Sequence, residues 1–199
     1  MNELFPVYVK LDQIQTLLVG AGAVGLEKLE AMIRNSPHAK IKVVSESSIP
    51  AFDNFLKQHP HIEFIKRAFD SKDINGIDLI IVASNNNVLN QQIRRLANEQ
   101  HILLNIADTP ALCDFYLGSV VQKGNLKIGI STNGKSPTMA KRLKEILHDA
   151  LPEELDETLE LMQQLRNSLK GGFQQKIKVL NEHTKELLSH SIYDSDSAN

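Results

Sequence analysis

The chain has 199 residues, of which 42% are hydrophobic and 23% are charged, and its formal net charge is -2 at pH 7. These values are typical of a globular protein, and they argue against general disorder and against nucleic-acid binding over a broad surface. The single cysteine excludes an intrachain disulfide framework and a multi-cysteine metal cluster, and it favours a cytoplasmic location. The sequence shows no signal peptide and no membrane helix, so we expect the native start of a soluble protein that does not enter membranes.

Strands and helices alternate in the first half of the chain. We expect strands at residues 5–10, 16–19, 40–45, 62–66, 79–83 and 103–106, and helices at about 24–34, 52–58 and 89–99. The first strand is expected to lie at a sheet edge, and the strand at 79–83 is apolar throughout, as in a sheet covered on both faces. The order predicts an α/β domain with a doubly wound, mostly parallel sheet.

The pattern changes after residue 114. Strands at 115–121 and 126–131, joined by a turn at 122–125, predict a hairpin. Ser136 and Pro137 are expected to be the N-cap and the first residue of a helix that runs to about residue 149. A helical pattern at 152–189, broken at 171–172, predicts a small appendage. We therefore divide the chain into residues 1–113, 114–150 and 151–193, with a disordered tail at 194–199.

The motif GAGAVG, at residues 20–25, joins a predicted strand to a predicted helix. In a dinucleotide site, Gly20 allows the tight turn, Gly22 admits the pyrophosphate, and Gly25 lets the helix pack closely on the sheet. The first helical residues, Ala23 and Val24, lie where backbone amides bind the anion. The alternative is a structural tight turn without a ligand.

An acid near the end of the second strand of such a fold binds the ribose. Glu46 is the candidate here, although it lies slightly beyond the predicted strand, so a solvated loop glutamate is the alternative. Because no arginine follows the strand closely, the sequence favours NAD over NADP.

The strand at 79–83 ends in the polar run Ser84-Asn85-Asn86-Asn87. Open α/β sheets bind ligands at the carboxyl ends of their strands, so Ser84 and Asn85 are expected to contact the cofactor. The alternative is local turn chemistry, with Asn87 as the cap of the next helix.

Asp108 is expected at the same edge of the sheet, because it follows the strand at 103–106. A carboxylate beside a nicotinamide can accept a proton while hydride leaves the substrate, and partial burial would strengthen it as a base. From position alone, the alternative is an aspartate that caps the turn before Thr109 and Pro110.

A second anion-accepting surface is predicted at residues 128–143, where a strand leads through a hydroxyl-rich glycine turn into a helix. Its hydroxyl groups belong to Ser131, Thr132 and Ser136. Its cations are Lys135, Lys141 and Arg142. Alternatively, these charged residues are simply solvated.

In combination, these motifs closely resemble precorrin-2 dehydrogenase, the dehydrogenase module of siroheme synthases. The resemblance runs from about residue 4 to residue 151 and includes the glycine motif with Lys28 on its helix, Asn105 and Asp108 spaced as Asn-x-x-Asp, the pair Asp114-Phe115, and the turn at 131–137. It implies NAD-dependent oxidation of precorrin-2 to sirohydrochlorin by a Rossmann domain with a central dimerisation region and a helical C-terminal part. It also implies a homodimer formed through the central region.

The resemblance also implies roles for individual residues. The family's essential aspartate corresponds to Asp108, the three glycines hold the pyrophosphate, and Ser84 and Asn85 border the cofactor. Asn105 and the turn residues Ser131, Thr132 and Ser136 fall on the tetrapyrrole side. Precorrin-2 is an octacarboxylate, which Lys135, Lys141 and Arg142 are expected to bind.

The chain departs from the family pattern in two places. Relatives often carry a proline after the aromatic pair of the hairpin, where this chain has Leu117-Gly118, and we expect a looser strand or a reshaped pocket. The methyltransferase module that is fused to some relatives has no counterpart in this sequence. A separate uroporphyrinogen methyltransferase is therefore expected to act upstream.

Two alternative functions stay open. Some relatives also insert ferrous iron into sirohydrochlorin, so a bifunctional dehydrogenase and ferrochelatase is one alternative, with Asp108 serving twice. No metal site is predicted, because the only closely spaced histidines, His59 and His61, lie in a loop expected to be solvated, and Cys113 is expected to be a buried small residue. The other alternative is a non-catalytic sensor of NAD, although a sensor has no reason to carry Asn105, Asp108 and the turn at 131–137 together.

Overall fold

The computed structural model describes residues 2–169. The chain divides after Leu117 into an N-terminal unit and a C-terminal unit, which we describe separately. The expected helical pattern beyond residue 169 and the expected disordered tail at 194–199 lie outside the described residues. The division of the chain into four parts stays a prediction.

The N-terminal unit is built on a sheet of five parallel strands with the order β3-β2-β1-β4-β5. The strands are β1 (Gln15–Ala21), β2 (Lys40–Ser48), β3 (Glu63–Ile65), β4 (Leu79–Val82) and β5 (Leu103–Ile106), and the helices are α1 (Ala23–Asn35), α2 (Pro50–Gln58) and α3 (Asn87–Gln100). Short 3-10 helices lie at Ser71–Ile74 and Pro110–Leu112. The doubly wound sheet predicted from the sequence is confirmed.

Each face of the sheet carries its own hydrophobic core. Leu18 on β1 packs with residues of α1 and α2, whereas its neighbours Leu17 and Val19 pack with residues of α3 on the opposite face. This alternation follows from the geometry of a strand, in which successive side chains point to opposite faces. It explains why the central strand β4, which is covered on both faces, is apolar throughout.

The predicted edge strand at 5–10 is wrong. This segment belongs to neither sheet, and Phe5 is 86% exposed. Its apolar residues alternate like those of a strand, but Pro6 has no amide proton to donate to a neighbouring strand. Alternation alone does not form a strand without a hydrogen-bonded partner.

A buried ion cluster was missed by the sequence analysis. Asp73 is 2% exposed and accepts hydrogen bonds from the Arg67 guanidinium at 2.7 and 2.6 Å and from the Asp70 amide at 2.9 Å. Lys42 on β2 adds an ion pair at 3.1 Å. The Arg67 guanidinium holds the pKa of the Asp73 carboxyl well below its usual range. The cluster therefore ties the 3-10 helix at Ser71–Ile74 to the sheet.

The C-terminal unit contains a hairpin and two helices. The hairpin pairs β6 (Ser119–Lys123) with β7 (Leu126–Ile130), and the helices are α4 (Pro137–Ala150) and α5 (Leu155–Ser168). The predicted hairpin is confirmed, but β6 begins later than residue 115 and its turn is only Gly124-Asn125. The Asp156 carboxylate accepts a hydrogen bond from the Asn125 amide at 2.6 Å, so α5 fixes this turn.

Within residues 2–169, no helix is long and apolar enough to cross a bilayer.

Candidate functional site

The turn between β1 and α1 is closely packed around two of its glycines. A Cβ atom on Gly20, which has a φ of +106°, would lie 2.3 Å from the carbonyl oxygen of Ala83 at the end of β4. A Cβ atom on Gly25 would lie 2.1 Å from the carbonyl oxygen of Gly20. Helix α1 therefore begins against the carboxyl ends of β1 and β4, where doubly wound sheets bind their ligands.

Gly22 has the opposite environment. A Cβ atom there would meet nothing within 4 Å, so the space in front of the turn is open. Gly22 is the N-cap of α1, no side chain in the described part of the chain caps the helix, and its first turn carries no acidic residue. Ala23 and Val24 are exposed. An uncapped helix N-terminus in front of open space fits the pyrophosphate of a dinucleotide.

Strand β2 bulges beside the glycine turn. Val19 pairs with Val44 and Ala21 pairs with Ser48, so Gly20 alone lies opposite residues 45–47. The hydroxyl of Ser45 accepts a hydrogen bond from the Ala21 amide at 3.1 Å and donates one to the Ser47 carbonyl at 2.7 Å. The bulge is therefore fixed by its own serine.

Glu46 lies in this bulge with an exposed side chain. The prediction that the strand ends at residue 45 is wrong, because β2 continues to Ser48. Glu46 is thus a strand residue next to the glycine turn and not a loop residue beyond the strand. This position suits a contact with the ribose of a bound dinucleotide.

The polar run after β4 forms the start of α3. Asn86, not Asn87, is the N-cap, and its side chain accepts hydrogen bonds from two amides of the first helical turn at 3.0 and 3.1 Å. The hydroxyl of Ser84 accepts a hydrogen bond from the Asn86 amide at 3.1 Å, and buried Asn90 donates to the Ser84 carbonyl at 3.1 Å. Ser84 therefore shapes the turn, whereas the side chain of Asn85 is exposed at the ligand edge.

Asp108 follows β5 in the left-handed backbone conformation, with a φ of +57°. Residues other than glycine adopt this conformation rarely, and aspartate and asparagine tolerate it best. The side chain is exposed, so the partial burial that would strengthen it as a base is not found. Within the described part of the N-terminal unit, its carboxylate has no hydrogen-bond or ion-pair partner.

The turn-capping alternative for Asp108 is also wrong. The N-cap of the next 3-10 helix is Thr109, which makes no side-chain capping bond to it. Asp108 therefore adopts an uncommon backbone conformation, although its carboxylate makes no hydrogen bond within the turn. Such features concentrate at functional sites.

The segment after Asp108 folds back onto β5. Asn105 is buried and donates from Nδ2 to the Phe115 carbonyl at 2.8 Å. The Cys113 thiol lies 3.2 Å from both the amide nitrogen and the carbonyl oxygen of Ile106. Burial raises the pKa of this thiol, which keeps it protonated and a poor nucleophile. Asn105 is thus committed to the backbone, and the prediction that it contacts substrate directly has no support in this geometry.

Asp114 forms a second contact between this segment and the strand. Its carboxylate accepts hydrogen bonds from the Leu104 amide at 2.9 Å and from the Arg94 guanidinium at 2.8 Å. The Asp114 amide donates to the Leu104 carbonyl at 2.7 Å. Asp114 is recognisable in the sequence as part of a motif, but its structural role depends on Leu104 and Arg94, which only the fold brings to it.

In the C-terminal unit, hydroxyl groups build the turn between β7 and α4. Thr132 accepts a hydrogen bond from the Ser136 amide at 3.2 Å and donates to the Ser136 carbonyl at 3.1 Å. Ser131 accepts from the Asn133 amide at 3.2 Å. Ser136 caps α4 by accepting from the Met139 amide at 3.2 Å, so the predicted cap is confirmed. These hydroxyls are used within the turn.

The predicted cations near this turn are exposed. Lys135 lies in the turn, and Lys141 and Arg142 lie on α4. Arg142 is 3.9 Å from Glu145, a long and solvated ion pair. All three cations are therefore accessible to an anionic ligand.

His59 and His61, which were predicted to lie in a solvated loop, have different surroundings. The His59 ring packs on Phe55 with a centroid distance of 4.3 Å, and His61 is exposed. Among the described residues, no group of three or more His, Cys, Asp or Glu side chains is arranged to hold a metal ion.

Comparisons with known families agree with this geometry. Residues 7–119 match the model of the family described as "Putative NAD(P)-binding". The chain belongs to this NAD(P)-binding family. The match includes the glycine turn, the β2 bulge and Asp108. Residues 123–150, which contain the turn before α4 and its cations, match the model described as "Sirohaem biosynthesis protein central".

The chain is also similar to proteins named siroheme synthase. It is 32% identical over 173 residues to that of Vesicomyosocius okutanii subsp. Calyptogena okutanii, which covers 87% of this chain and 36% of the relative. It is 30% identical over 195 residues to that of Buchnera aphidicola subsp. Acyrthosiphon pisum, which covers 97% of this chain and 40% of the relative. The chain thus spans well under half the length of these relatives.

A solved structure described as "SirC, precorrin-2 dehydrogenase" shares the fold. The TM-score is 0.72 at 22% sequence identity, over 95% of this chain and 93% of that chain. The predicted fold class, a Rossmann-like α/β sheet followed by a small hairpin and helices, is therefore confirmed.

Proposed function

We propose that this chain is an NAD-dependent dehydrogenase that oxidises precorrin-2 to sirohydrochlorin in siroheme biosynthesis. The observation that carries the proposal is the presence, at one edge of one sheet, of an open helix N-terminus at Gly22 and of the Asp108 carboxylate, which has no partner among residues 2–169. The first suits a dinucleotide and the second suits a proton transfer. Membership of the NAD(P)-binding family and similarity to siroheme synthases support the same reaction.

The proposed reaction removes one hydride and one proton from the substrate. Bound NAD would supply the hydride acceptor. Asp108 would accept the proton, which leaves its carboxylate neutral until it exchanges with solvent. Strand β4 lies between β1 and β5, so a ligand that extends from the glycine turn toward Asp108 passes Ser84 and Asn85.

We assign the cofactor as NAD rather than NADP. The bulge at residues 45–47 presents the carboxylate of Glu46 and no cation beside the glycine turn. A carboxylate there can accept hydrogen bonds from the ribose hydroxyls of NAD, and it repels the additional phosphate of NADP.

The substrate is an octacarboxylate, and Lys135, Lys141 and Arg142 are proposed to bind its carboxylates. Their exposure supports this role. Ser131, Thr132 and Ser136 are proposed to act mainly by holding the turn that carries Lys135, because their hydroxyls are engaged in it.

We also propose a cytoplasmic homodimer that associates through the C-terminal unit. Met139, Leu143 and Ile146 are exposed, and their spacing aligns them on one face of α4. An exposed apolar stripe of this kind is typical of a protein interface. The free Cys113 supports a reducing compartment. A separate methyltransferase as the supplier of precorrin-2 stays a prediction.

The test is anaerobic incubation of the purified protein with enzymatically made precorrin-2, with and without NAD, followed by absorbance spectroscopy. NAD-dependent formation of sirohydrochlorin would support the proposal. Tight NAD binding without sirohydrochlorin would favour the sensor function instead. Subsequent addition of ferrous or cobaltous ion tests the ferrochelatase alternative, which requires metal insertion faster than the uncatalysed rate.

A further inference from the structure

The turn that carries Asp108 has few backbone hydrogen bonds of its own. The Thr109 amide donates to the Ile106 carbonyl at a long 3.3 Å, and the Ala107 amide is bound to β4 rather than to the turn. The left-handed conformation of Asp108 is intrinsically unfavourable for a residue with a side chain. The Thr109 hydroxyl adds one contact across Asp108, to the Ala107 carbonyl at 3.3 Å, and further support comes from outside the turn.

The half-buried thiol of Cys113 supplies such contacts on both sides of Asp108. Its sulfur accepts a hydrogen bond from the Ile106 amide at 3.2 Å, and the S–H group lies within reach of the carbonyls of Ile106 at 3.2 Å and Thr109 at 3.4 Å. The thiol proton can be donated to only one of these carbonyls at a time. The sulfur atom nevertheless contacts the chain on both sides of Asp108, at Ile106 and at Thr109.

Asn105 supports the same arrangement from the strand. Its Nδ2 lies 3.6 Å from the Cys113 sulfur and donates to the Phe115 carbonyl at 2.8 Å. Both side chains are therefore used to close the segment of residues 105–115 around the Asp108 turn. Asn105 is buried and Cys113 is half-buried in this arrangement.

We infer that Cys113 and Asn105 are positioning residues for Asp108, holding its turn in the left-handed conformation that presents the carboxylate at the ligand edge. This inference rests on the proposed function for its catalytic consequence. Without these contacts the turn samples other conformations, and the turnover number falls with the fraction of molecules in the competent one. The glycine turn is unaffected, so NAD affinity is unchanged.

The principal test is the variant Cys113→Ala, which removes both the donor and the acceptor. We expect kcat to fall roughly tenfold, with the KM for NAD changed by less than about twofold. Cys113→Ser keeps a donor and an acceptor and is expected to recover most of the lost activity. Ile93→Val is the matched control, since it removes one heavy atom from the core cluster that Cys113 packs against. This control should retain wild-type kcat.

A double-mutant cycle separates positioning from general damage. In an Asp108→Asn background, Cys113→Ala and Asn105→Ala should cause no further loss of kcat, because residues that act through Asp108 have nothing left to position. Additional loss of the same size in both backgrounds, or wild-type kcat in Cys113→Ala, would overturn the inference.

Hydrogen exchange tests the turn independently of activity. In Cys113→Ala, the amides of residues 106–109 should exchange faster, while those of β1 and β4 keep their wild-type rates. Unchanged exchange at 106–109 would overturn the inference. If the wild type forms no sirohydrochlorin, the proposed function fails, and the exchange data still decide whether the thiol holds the turn.

Discussion

Two aspartates of the N-terminal unit have opposite environments. Asp73 is 2% exposed, and three residues donate to or pair with its carboxylate. Asp108 is exposed, has a left-handed backbone and has no partner in the described part of its unit. The fold supplies partners for the Asp73 carboxylate, which therefore contributes to stability. The fold holds Asp108 in an unfavourable backbone conformation, as expected for a residue that contacts a ligand.

The largest expected effect is on catalysis at Asp108. Asp108→Asn keeps the shape and tolerates the left-handed conformation, but it cannot accept a proton. We expect kcat for precorrin-2 oxidation to fall by about 10²- to 10⁴-fold, which is the usual contribution of a general base. Asp108→Ala should show the same loss. NAD affinity, measured by isothermal titration calorimetry, should stay within about twofold in either variant, because the glycine turn is intact.

An active Asp108→Asn variant would remove this carboxylate from the mechanism. Glu99 on α3 provides a control, because its side chain is exposed. Glu99→Gln neutralises an exposed acid of the same unit and should retain full activity.

Substitution of Asp73 should have the reverse effect, because it should lower the stability of the protein and leave its catalytic activity unchanged. Asp73→Asn removes the charge between Arg67 and Lys42 and turns an amide donor toward their donors. We expect the free energy of unfolding to fall by about 2 to 4 kcal/mol, because a buried ion cluster loses one partner. Urea unfolding measures the change. The folded variant should keep its kcat at a temperature well below its midpoint, and a marked loss of kcat there would break the contrast with Asp108.

The same cluster predicts a dependence of stability on pH. The folded-state pKa of Asp73 is lowered, so its contribution is fully present above the unfolded pKa of about 3.9 and is lost as the pH falls below that value. The difference in unfolding free energy between the wild type and Asp73→Asn should be constant from pH 7 to about 5 and should shrink below about pH 4. A difference that grows on acidification would contradict the assignment.

Substitution of Gly22 tests the proposed cofactor site. A Cβ atom at this position meets no protein atom within 4 Å, so we expect Gly22→Asp to fold normally. Its charge and bulk occupy the proposed pyrophosphate site, and we expect NAD affinity to fall at least about tenfold. Ala51→Asp places the same charge on the first turn of α2 and should leave NAD affinity unchanged. Unaltered affinity in a folded Gly22→Asp variant would contradict the glycine assignment.

The contrast between the two regions also explains what could be predicted from the sequence. The glycine turn was predictable because its geometry depends on missing side chains, which the sequence displays directly at Gly20 and Gly25. The environments of Asp73 and Cys113 depend on partners brought together by the fold, and no local pattern announces them. Sequence position placed Asp108 at the correct edge but could not reveal its exposure.

The errors in the predicted strands have the same origin. Residues 46–48 were predicted to lie beyond the strand, yet Ser45 binds the Ala21 amide and β2 continues past it. Residues 5–10 alternate and read as a strand, yet they pair with neither edge of the sheet. In both cases a hydrogen-bonding neighbour, or the absence of one in the described sheet, decided the outcome.

The smallest expected effect concerns Glu46, which is exposed like Asp108 but lies in a strand bulge that Ser45 holds in place. Glu46→Gln keeps the length of the side chain and removes its charge. If the carboxylate binds the ribose, NAD affinity should fall by a few-fold, about 1 kcal/mol for one charge-assisted hydrogen bond at an exposed site. NADP affinity should rise over the same range, because the repulsion of its additional phosphate is relieved. Titration of both cofactors against both proteins separates the two effects. A parallel fall in both affinities would mean that Glu46 supports the bulge, as Ser45 does, and does not discriminate between the cofactors.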